Sequence, residues 1–483
     1  MNRFVMHRGQ LLVALGFFLA VTLVGVPEPH ARQLSLRDAM QQAVMNNPNL
    51  KAAGYEADAR LQEQHSVRGR FLPVIKTSAN VLYWDDKFSA GVDLSAITDI
   101  LGDLAPLLPQ TSQDKLANLK NSSPSIQIRD RLTYKASVTI AQPLIQLYGI
   151  YFNHAAAGGL AKAAAYDLES ARLQLELEVA RTYYGMLAGM RMTDSLAVAL
   201  EQVGAYESQV RAFLDAGRVE RNALMKVEVQ QAELQKAQFA ADKAVRLSRA
   251  RLNVLMGQPQ DTEFEPEPIR LDDEPDHPSP GPEPLSSYVD HALAKRPDLL
   301  SIRQTMNASR ARRQAAISAM LPELNAVFNY DYNGGMGEIQ PENQYFVGLT
   351  LSWNIWEWGA SYYQVKAAES RMDQAASRLA GQSQQVELEV KSRKLDLEEA
   401  LQGHGVALVQ RKQAAENLRI EKARYAAGQT TTADLLQAQA IDVKSANDLI
   451  LAEMKVLESR QALLVAGGYD LLDQTHYHHS RID

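Results

Sequence analysis

A chain of 483 residues without cysteine holds no disulfide, no thiol nucleophile and no thiolate metal site, and offers no cysteine for a lipid anchor. Its 50 basic side chains are outnumbered by 57 acidic ones, a net charge of −7 that gives no basis for nucleic-acid binding. No phosphate loop, nucleophile elbow or zinc-protease helix occurs, so neither an enzyme nor a bound cofactor is expected.

Arg3 and Arg8 precede an apolar run from Leu11 to Val26, and the small residue Ala31 follows. The run is too short to span a bilayer, so residues 1–31 read as a secretory signal peptide, the alternative being a membrane anchor. Beyond it no stretch of 18 apolar residues exists. An exported chain of this kind that crosses a membrane must do so as a closed β-barrel, because only a helix or a barrel satisfies every backbone group in lipid.

Residues 35–70 read as helix, with Leu36, Met40, Ala43 and Val44 on one side and Pro48 as a break. After Pro73 the period becomes two. Near 74–84, Ile75, Ala79, Val81 and Tyr83 alternate with Lys76, Ser78, Asn80 and Leu82; near 132–142, Tyr134, Ala136, Val138 and Ile140 alternate with Thr133, Lys135, Ser137 and Thr139. Between these strands lies an insert, 85–131, with helical spacing at Leu94, Ile97, Ile100 and Leu104. Its expected place is the hairpin tip outside the cell, as a pore cap, a receptor-like surface or a loop without function. Residues 160–214 contain no proline and predict a rod of ~80 Å, turned at Gly217 into a returning helix, 220–256. Eight prolines among acidic residues mark 258–287 as an extended linker.

The second half, 288–468, repeats the first, 32–257. Asn47-Pro48 and Leu72-Pro73 recur 249 residues later as Arg296-Pro297 and Leu321-Pro322; Gly149 recurs as Gly359 at an offset of 210, and Gly217 as Gly428 at 211. Two long copies are pseudo-equivalent halves of one architecture rather than modules of a solenoid. Strands are expected near 323–333 (Leu324, Ala326, Phe328, Tyr330, Tyr332 on one face) and near 344–354 (Tyr345, Val347, Leu349, Leu351, Trp353). Each is about ten residues, the length of a tilted membrane strand. Tyr83, Trp84, Tyr330, Tyr332, Tyr345, Trp353, Trp356 and Trp358 cluster toward the strand ends, as interface girdles do. Four strands fall short of the roughly eight a barrel needs, so several chains must share one, and three chains supplying twelve strands is the simplest closure.

Residues 360–427 predict a rod of ~100 Å, and 432–466 a returning helix. In the latter, Leu435, Asp442, Leu449, Val456 and Leu463 form a row at intervals of seven, beside a row of small residues, Ala438, Ser445, Ala452, Ser459 and Ala466. Such a broad seven-residue repeat suits helices with two neighbours each, as in a cylinder wall, the alternative being a dimeric coiled coil. The tail, 469–483, carries His476, His478 and His479, which without carboxylate support make a weak metal site. Asp434, on the first turn after Gly428, reads either as stabilisation of a helix N-terminus or as one of three carboxylates around a narrowed pore.

Taken together, the two Pro pairs, the Leu-Pro entries, Gly149 and Gly359, and above all Arg424-Tyr-Ala-Ala-Gly428-Gln-Thr-Thr-Thr-Ala-Asp434-Leu-Leu-Gln437-Ala-Gln439 resemble the TolC family of outer membrane efflux and secretion channels across the chain. The resemblance implies a mixed, mainly α fold: a homotrimer with a shared 12-stranded barrel in the outer membrane, four strands per chain, and a long α-helical barrel in the periplasm. It implies a passive exit duct of a tripartite efflux or type I secretion system. Its partners would be a periplasmic adaptor, an inner membrane transporter (RND, ABC or MFS) and outer membrane lipid. The hairpin tips Gly217, Arg218, Gly428 and Gln429 would dock the adaptor, and Asp434, Gln437, Thr431 and Lys226 would form the gate. Family members often carry aspartates at the positions of both Asp434 and Gln437; here only the first is acidic, and the first-half equivalents are Ala223 and Lys226, which implies weaker cation selectivity. Two other classes remain open on the residues alone, a periplasmic adaptor and a surface adhesin using the insert.

Overall fold

A computed structural model describes residues 33–91, 93, 95–120, 125–269, 284–337 and 340–472. The signal peptide, the middle of the acidic linker, Leu94 and the three tail histidines lie outside the described residues. In chain order the elements are β1 (Gln33–Leu34), α1 (Leu36–Asn46), α2 (Pro48–Gly69), β2 (Val74–Tyr83), β3 (Phe88–Gly91), α3 (Ser95–Asp103), α4 (Gln110–Lys120), β4 (Ser125–Arg129), β5 (Leu132–Pro143), α5 (Leu147–Asp215), α6 (Arg221–Leu255), β6 (Glu265–Pro266), α7 (Leu285–Lys295), α8 (Pro297–Ser318), β7 (Glu323–Gly334), β8 (Asn343–Ser352), α9 (Ala360–Ala426) and α10 (Thr432–Ala466).

Four strands form one antiparallel sheet in the order β2-β5-β7-β8. Apart from Val74, Leu82, Val327 and Phe346, the register places the large apolar members of the strands on a single face: Val81 opposite Tyr134, Val138 opposite Tyr330, and Tyr330 opposite Tyr345. That face is exposed, as are the outer edges of β2 and β8, which pair with no strand of this chain among the described residues. The ends of the sheet run directly into helices. α2 leads into β2, β5 into α5, α8 into β7 and β8 into α9, so α2, α5, α8 and α9 pack side by side in the order of the strands they serve.

α5 has 69 residues and α9 has 67, a rise of ~100 Å each. Such rods outrun the short helices α2 and α8, and past these the returning helices α6 and α10 take over as neighbours: α6 packs on α5, and α10 on both α5 and α9. α5 starts 13 residues earlier than the proline-free run suggests, at Leu147. The segment is rich in glycine and aromatic residues, poor helix formers in isolation, and is held by packing: a methyl group at Gly159 would lie 3.1 Å from the Ala308 methyl. The proposed equivalence of Gly149 and Gly359 also gives way. Gly149 is already inside α5, whereas Gly359 caps α9 with φ 81° and follows Trp358 at φ 56°.

Midway along the rods the two repeats fasten themselves by the same device. Asn47 caps α2, its side chain accepting from the amides of Asn49 (2.9 Å) and Leu50 (3.1 Å), while its Nδ2 donates to the carbonyl of Leu255 at the end of α6 (2.9 Å). Arg296, 249 residues later, precedes α8 and donates to the carbonyl of Ala466 at the end of α10 (3.3 Å), and also to Glu389 (2.7 Å) and Asp298. The Asn-Pro and Arg-Pro pairs thus end one helix, start the next and tie both to a returning helix. Around them Met40, Tyr183, Tyr184, Leu252, Met256, Phe264 and Leu457 form one core, and Tyr288, Leu299, Val386, Val390, Val456 and Leu463 a second. The Tyr183 hydroxyl lies between the carbonyls of Leu34 (2.8 Å) and Glu267 (2.9 Å), where β1 pairs parallel with β6 and clasps the linker to the chain start.

Glu176 is fully buried in this belt, 2.9 Å from Arg172, which also holds Asp470 (2.6 Å) and Glu169. Burial raises its pKa to about 7 from 4.5, against the pull of Arg172. A carboxyl whose folded pKa exceeds its unfolded one contributes stability that is complete below pH ~4.5 and is lost as pH rises through ~7. The urea midpoint should therefore fall between pH 5 and 8, and Glu176→Gln should flatten that fall, by on the order of 2 kcal/mol; an unchanged pH profile in the variant would exclude Glu176 as the cause.

Candidate functional site: the helix tips and the polar face of the sheet

The two ends of α5 and α9 are built alike. At the first, Gly217 has φ 68°, its amide donates to the carbonyl of Leu214 (2.9 Å) and that of Arg218 to Phe213 (2.8 Å); at the second, Gly428 has φ 72°, its amide donates to Tyr425 (3.0 Å) and that of Gln429 to Arg424 (2.8 Å). A left-handed residue with this pair of bonds closes a helix and reverses the chain, and only glycine adopts it without strain. The same closure recurs at Gly257 and Gly468, φ 68° and 81°, at the far ends of α6 and α10. Both returning helices span 35 residues. The offset of 211 thus holds from tip to belt, a signal present in Met256-Gly257 and Gly467-Gly468 that the sequence reading passed over.

The starts of the returning helices differ. Thr431 caps α10 and forms a reciprocal box with Asp434: the Asp434 amide donates to the Thr431 hydroxyl oxygen (3.2 Å), while Asp434 Oδ2 accepts from the Thr431 hydroxyl (2.7 Å), the Thr431 amide (3.2 Å) and the Thr430 hydroxyl (3.1 Å). These bonds, the Thr431 hydroxyl foremost, hold the exposed Asp434 carboxylate below the ordinary range. Glu220, at the equivalent position before α6, makes no capping bond. Asp434 is therefore engaged by its own helix start, and the structure brings together the other two polar candidates instead: Lys226 and Gln437 line one groove of about 360 Å³ between α6 and α10, with Met225, Val229, Gln230, Ala433, Leu436 and Ala440.

Behind the groove, the returning helix α10 is tied to the long rods by polar groups placed among apolar ones. Tyr206 of α5 reaches Gln439 (3.2 Å), Tyr425 of α9 reaches Thr432 (3.1 Å), and Arg411 of α9 pairs with Asp442. Lys422 bonds Gln202 (3.2 Å) and lies 5.6 Å from the Tyr206 ring; burial lowers its pKa, with the Asp442 charge opposing. Asp442 was the one acid in an otherwise apolar row at intervals of seven, and that misfit was the legible sign of a partner.

The sheet's second face is polar, and its side chains bond across the strands. Ser78 and Ser137 are 2.7 Å apart, Thr139 donates to Asn329 (2.7 Å), Lys135 pairs with Asp331 (3.1 Å), and Gln344 donates to Asp331 (3.3 Å). Of the girdle candidates, Tyr83, Tyr345, Trp353, Trp356 and Trp358 are well exposed, Tyr330 and Tyr332 less so, the three tryptophans lying past the end of β8. Trp84 departs from this set. It is half-buried, its indole N–H donates to Thr133 (2.9 Å), and the Arg129 guanidinium sits 3.8 Å over its ring, so it braces the base of the insert hairpin. There β3 and β4 prolong the β2–β5 hairpin beyond the sheet and carry α3 and α4.

A sheet greasy on one face and wet on the other, with both edges open among the described residues, carried on paired helical rods some hundred ångströms long, is the architecture shared with solved outer-membrane channel proteins. Residues 288–468 match the model of the outer membrane efflux protein family, and the described chain has the TolC-type fold implied by its motifs. Among solved structures, the outer-membrane channel OprN is similar at 16% identity over 91% of each chain with a TM-score of 0.72. CusC is similar at 12% identity over 90% of this chain and 92% of its own, TM-score 0.74, and the Campylobacter jejuni CmeC outer membrane channel at 16% over 91% and 87%, TM-score 0.71. No curated protein sequence matches the chain.

Loss of the Thr431 cap should open the start of α10 locally. Thr431→Ala should cost about 1 kcal/mol there, read as an about fivefold faster amide exchange over 432–436, whereas Glu220→Ala should leave exchange at the start of α6 nearly unchanged. Equal effects at both tips would contradict the asymmetry described.

Proposed function

We propose that three copies of this chain close a 12-stranded barrel and form a passive exit duct of a tripartite efflux or type I secretion system. The observation that carries the reading is the sheet itself: two edge strands of membrane length whose outer sides pair with no strand among the described residues, in a sheet with an apolar face suited to outer membrane lipid and a polar face suited to water. An open edge in hydrocarbon leaves a row of peptide groups unsatisfied, and pairing with further copies removes it. No chemistry is required of the chain. Energy comes from an inner membrane transporter of the RND, ABC or MFS type, reached through a periplasmic adaptor seated at the tips around Gly217, Arg218, Gly428 and Gln429. Lys226 and Gln437, facing one groove, together with Thr431 and Asp434 at the start of α10, form the gate in this reading.

Purified protein in a planar bilayer should show a small, mostly closed conductance, and Asp434→Ala should alter its block by divalent cations. A monomer that stays dissolved without detergent would favour a periplasmic adaptor instead; a trimer that never conducts, with loss of cell binding when 85–131 is deleted, would favour an adhesin.

A further inference from the structure

The insert 85–131 has no counterpart in the second half, whose hairpin turns within residues 335–342. Its base is tied to the sheet. β3 pairs with β4, the Asp130 amide donates to the Gly335 carbonyl of the second hairpin (2.7 Å), and a Cβ built on Gly337 would lie 1.9 Å from the Gln127 carbonyl oxygen. What this base carries is a helix turned inside out. At 3.6 residues per turn α3 presents three faces. Its covered positions are the small residues Thr98, Gly102 and Ala105, and the helix it packs on is α4. Asp99 and Asp103 take the second face. The third gathers Ile97, Ile100, Leu101 and Leu104 at helical spacing and continues through the turn Ala105–Leu107 to Leu107 and Leu108. Those six side chains are 37–82% exposed, while Thr98 is 3% exposed. An amphipathic helix that serves its own chain buries its large apolar stripe; this one leaves the stripe in water beyond the sheet, the mark of a surface made for a partner.

We infer that the partner is the same stripe on two further copies, so that three α3 helices meet on the pore axis and close the duct at its outer mouth. This rests on the three-copy barrel proposed above and adds a second closure, at the end opposite the helix tips. The spacing favours this occupant. Ile97 and Leu104 hold one position of a heptad seam, Ile100 and Leu107 the other, and isoleucine at both positions shifts helix association from two strands toward three or four. The reach fits as well. Twelve strands ~4.8 Å apart and tilted by ~40° enclose a radius of ~12 Å, and the nine residues of α3 rise ~13 Å, enough to bring a helix rooted at the rim to the axis. Charge argues against the other apolar sink, the lipid around the barrel. Between residues 92 and 124 four aspartates stand against two lysines, so an anionic membrane surface repels the insert, whereas three acidic faces around one apolar seam point away from each other into water. Copies held on one rim also meet at an effective concentration of order mM, which no freely diffusing partner matches.

The chain has no cysteine, so single cysteines report without background. Ile100→Cys, oxidised in outer membranes, should bridge two of the three copies and run as a covalent dimer on denaturing gels, while Asp99→Cys, on the far face of the helix, should stay monomeric. The closure itself is read from outside the cell. A bulky maleimide added to intact cells should label Ser137→Cys, on the wet face of β5, slowly, and on the order of tenfold faster when Ile100→Asp is added, the factor that follows from losing the burial of one isoleucine. The barrel is untouched by that change, so Ile100→Asp should still be extracted as a trimer. Trimers that conduct while Ile100→Cys fails to bridge and Ser137→Cys labels equally fast in both backgrounds would overturn the outer closure and leave the duct intact; an unbridged Ile100→Cys shielded from water-soluble maleimide until detergent is added would overturn it in favour of lipid. Chains that neither associate nor conduct would overturn both.

Discussion

A strand in hydrocarbon has to satisfy its peptide groups on both sides, and four strands in one sheet leave two sides open. Much else in this chain follows from that deficit. On the proposed reading, a single copy with β2 and β8 bare has no stable place in a bilayer, and association completes the sheet. Association in turn fixes what the helices do: each rod continues a strand, so closing the strands gathers the rods into a wall. In such a wall every helix needs two lateral neighbours, which is why apolar and small residues spread over a broad face of α10 rather than a narrow seam.

The strands were legible because a membrane sheet with a wet lumen enforces alternation, and Ile75 to Tyr83 and Leu324 to Tyr332 show it with one interruption each, Leu82 and Val327. The start of α5 was not, because Leu147 to Gly159 has neither helical periodicity nor good propensity; that helix exists by virtue of Ala308 and the backbone of α8 behind Gly159. Trp84 looked like the other girdle aromatics by position alone, and only the cross-strand Thr133 and the overhanging Arg129 distinguish it. The polar ties of α10 were half visible. Asp442 announced a partner, but Arg411 sits 31 residues away on another rod, a separation no local pattern spans.

At the tip, the two readings of Asp434 are not exclusive in energetic terms, but they compete for the same lone pairs. A carboxylate that accepts three bonds from Thr430 and Thr431 remains charged at any pH a cell experiences, so it keeps its long-range field while having little freedom to swing toward a passing ion. A ring made of such groups would act as a fixed negative collar rather than a set of ligands. Lys226, one helix away and facing the groove with Gln437, offsets part of that field.

Comparison of the two halves separates what geometry demands from what function tunes. Where the long and returning helices end in a left-handed turn, the residue is glycine in both: Gly217 and Gly428, Gly257 and Gly468. Positions that end one helix and start the next keep proline, and the residue before it reaches the same carbonyl of the returning helix whether it is Asn47 or Arg296. Side chains that face the groove or stand at the start of the returning helices share no such constraint, and there the halves part: Thr431 against Glu220, Asp434 against Ala223, Gln437 against Lys226. A duplicated wall tolerates unequal tips because packing sees only the backs of the helices; in the proposed trimer the duct would then meet two alternating kinds of tip, one capped and acidic, the other uncapped and basic.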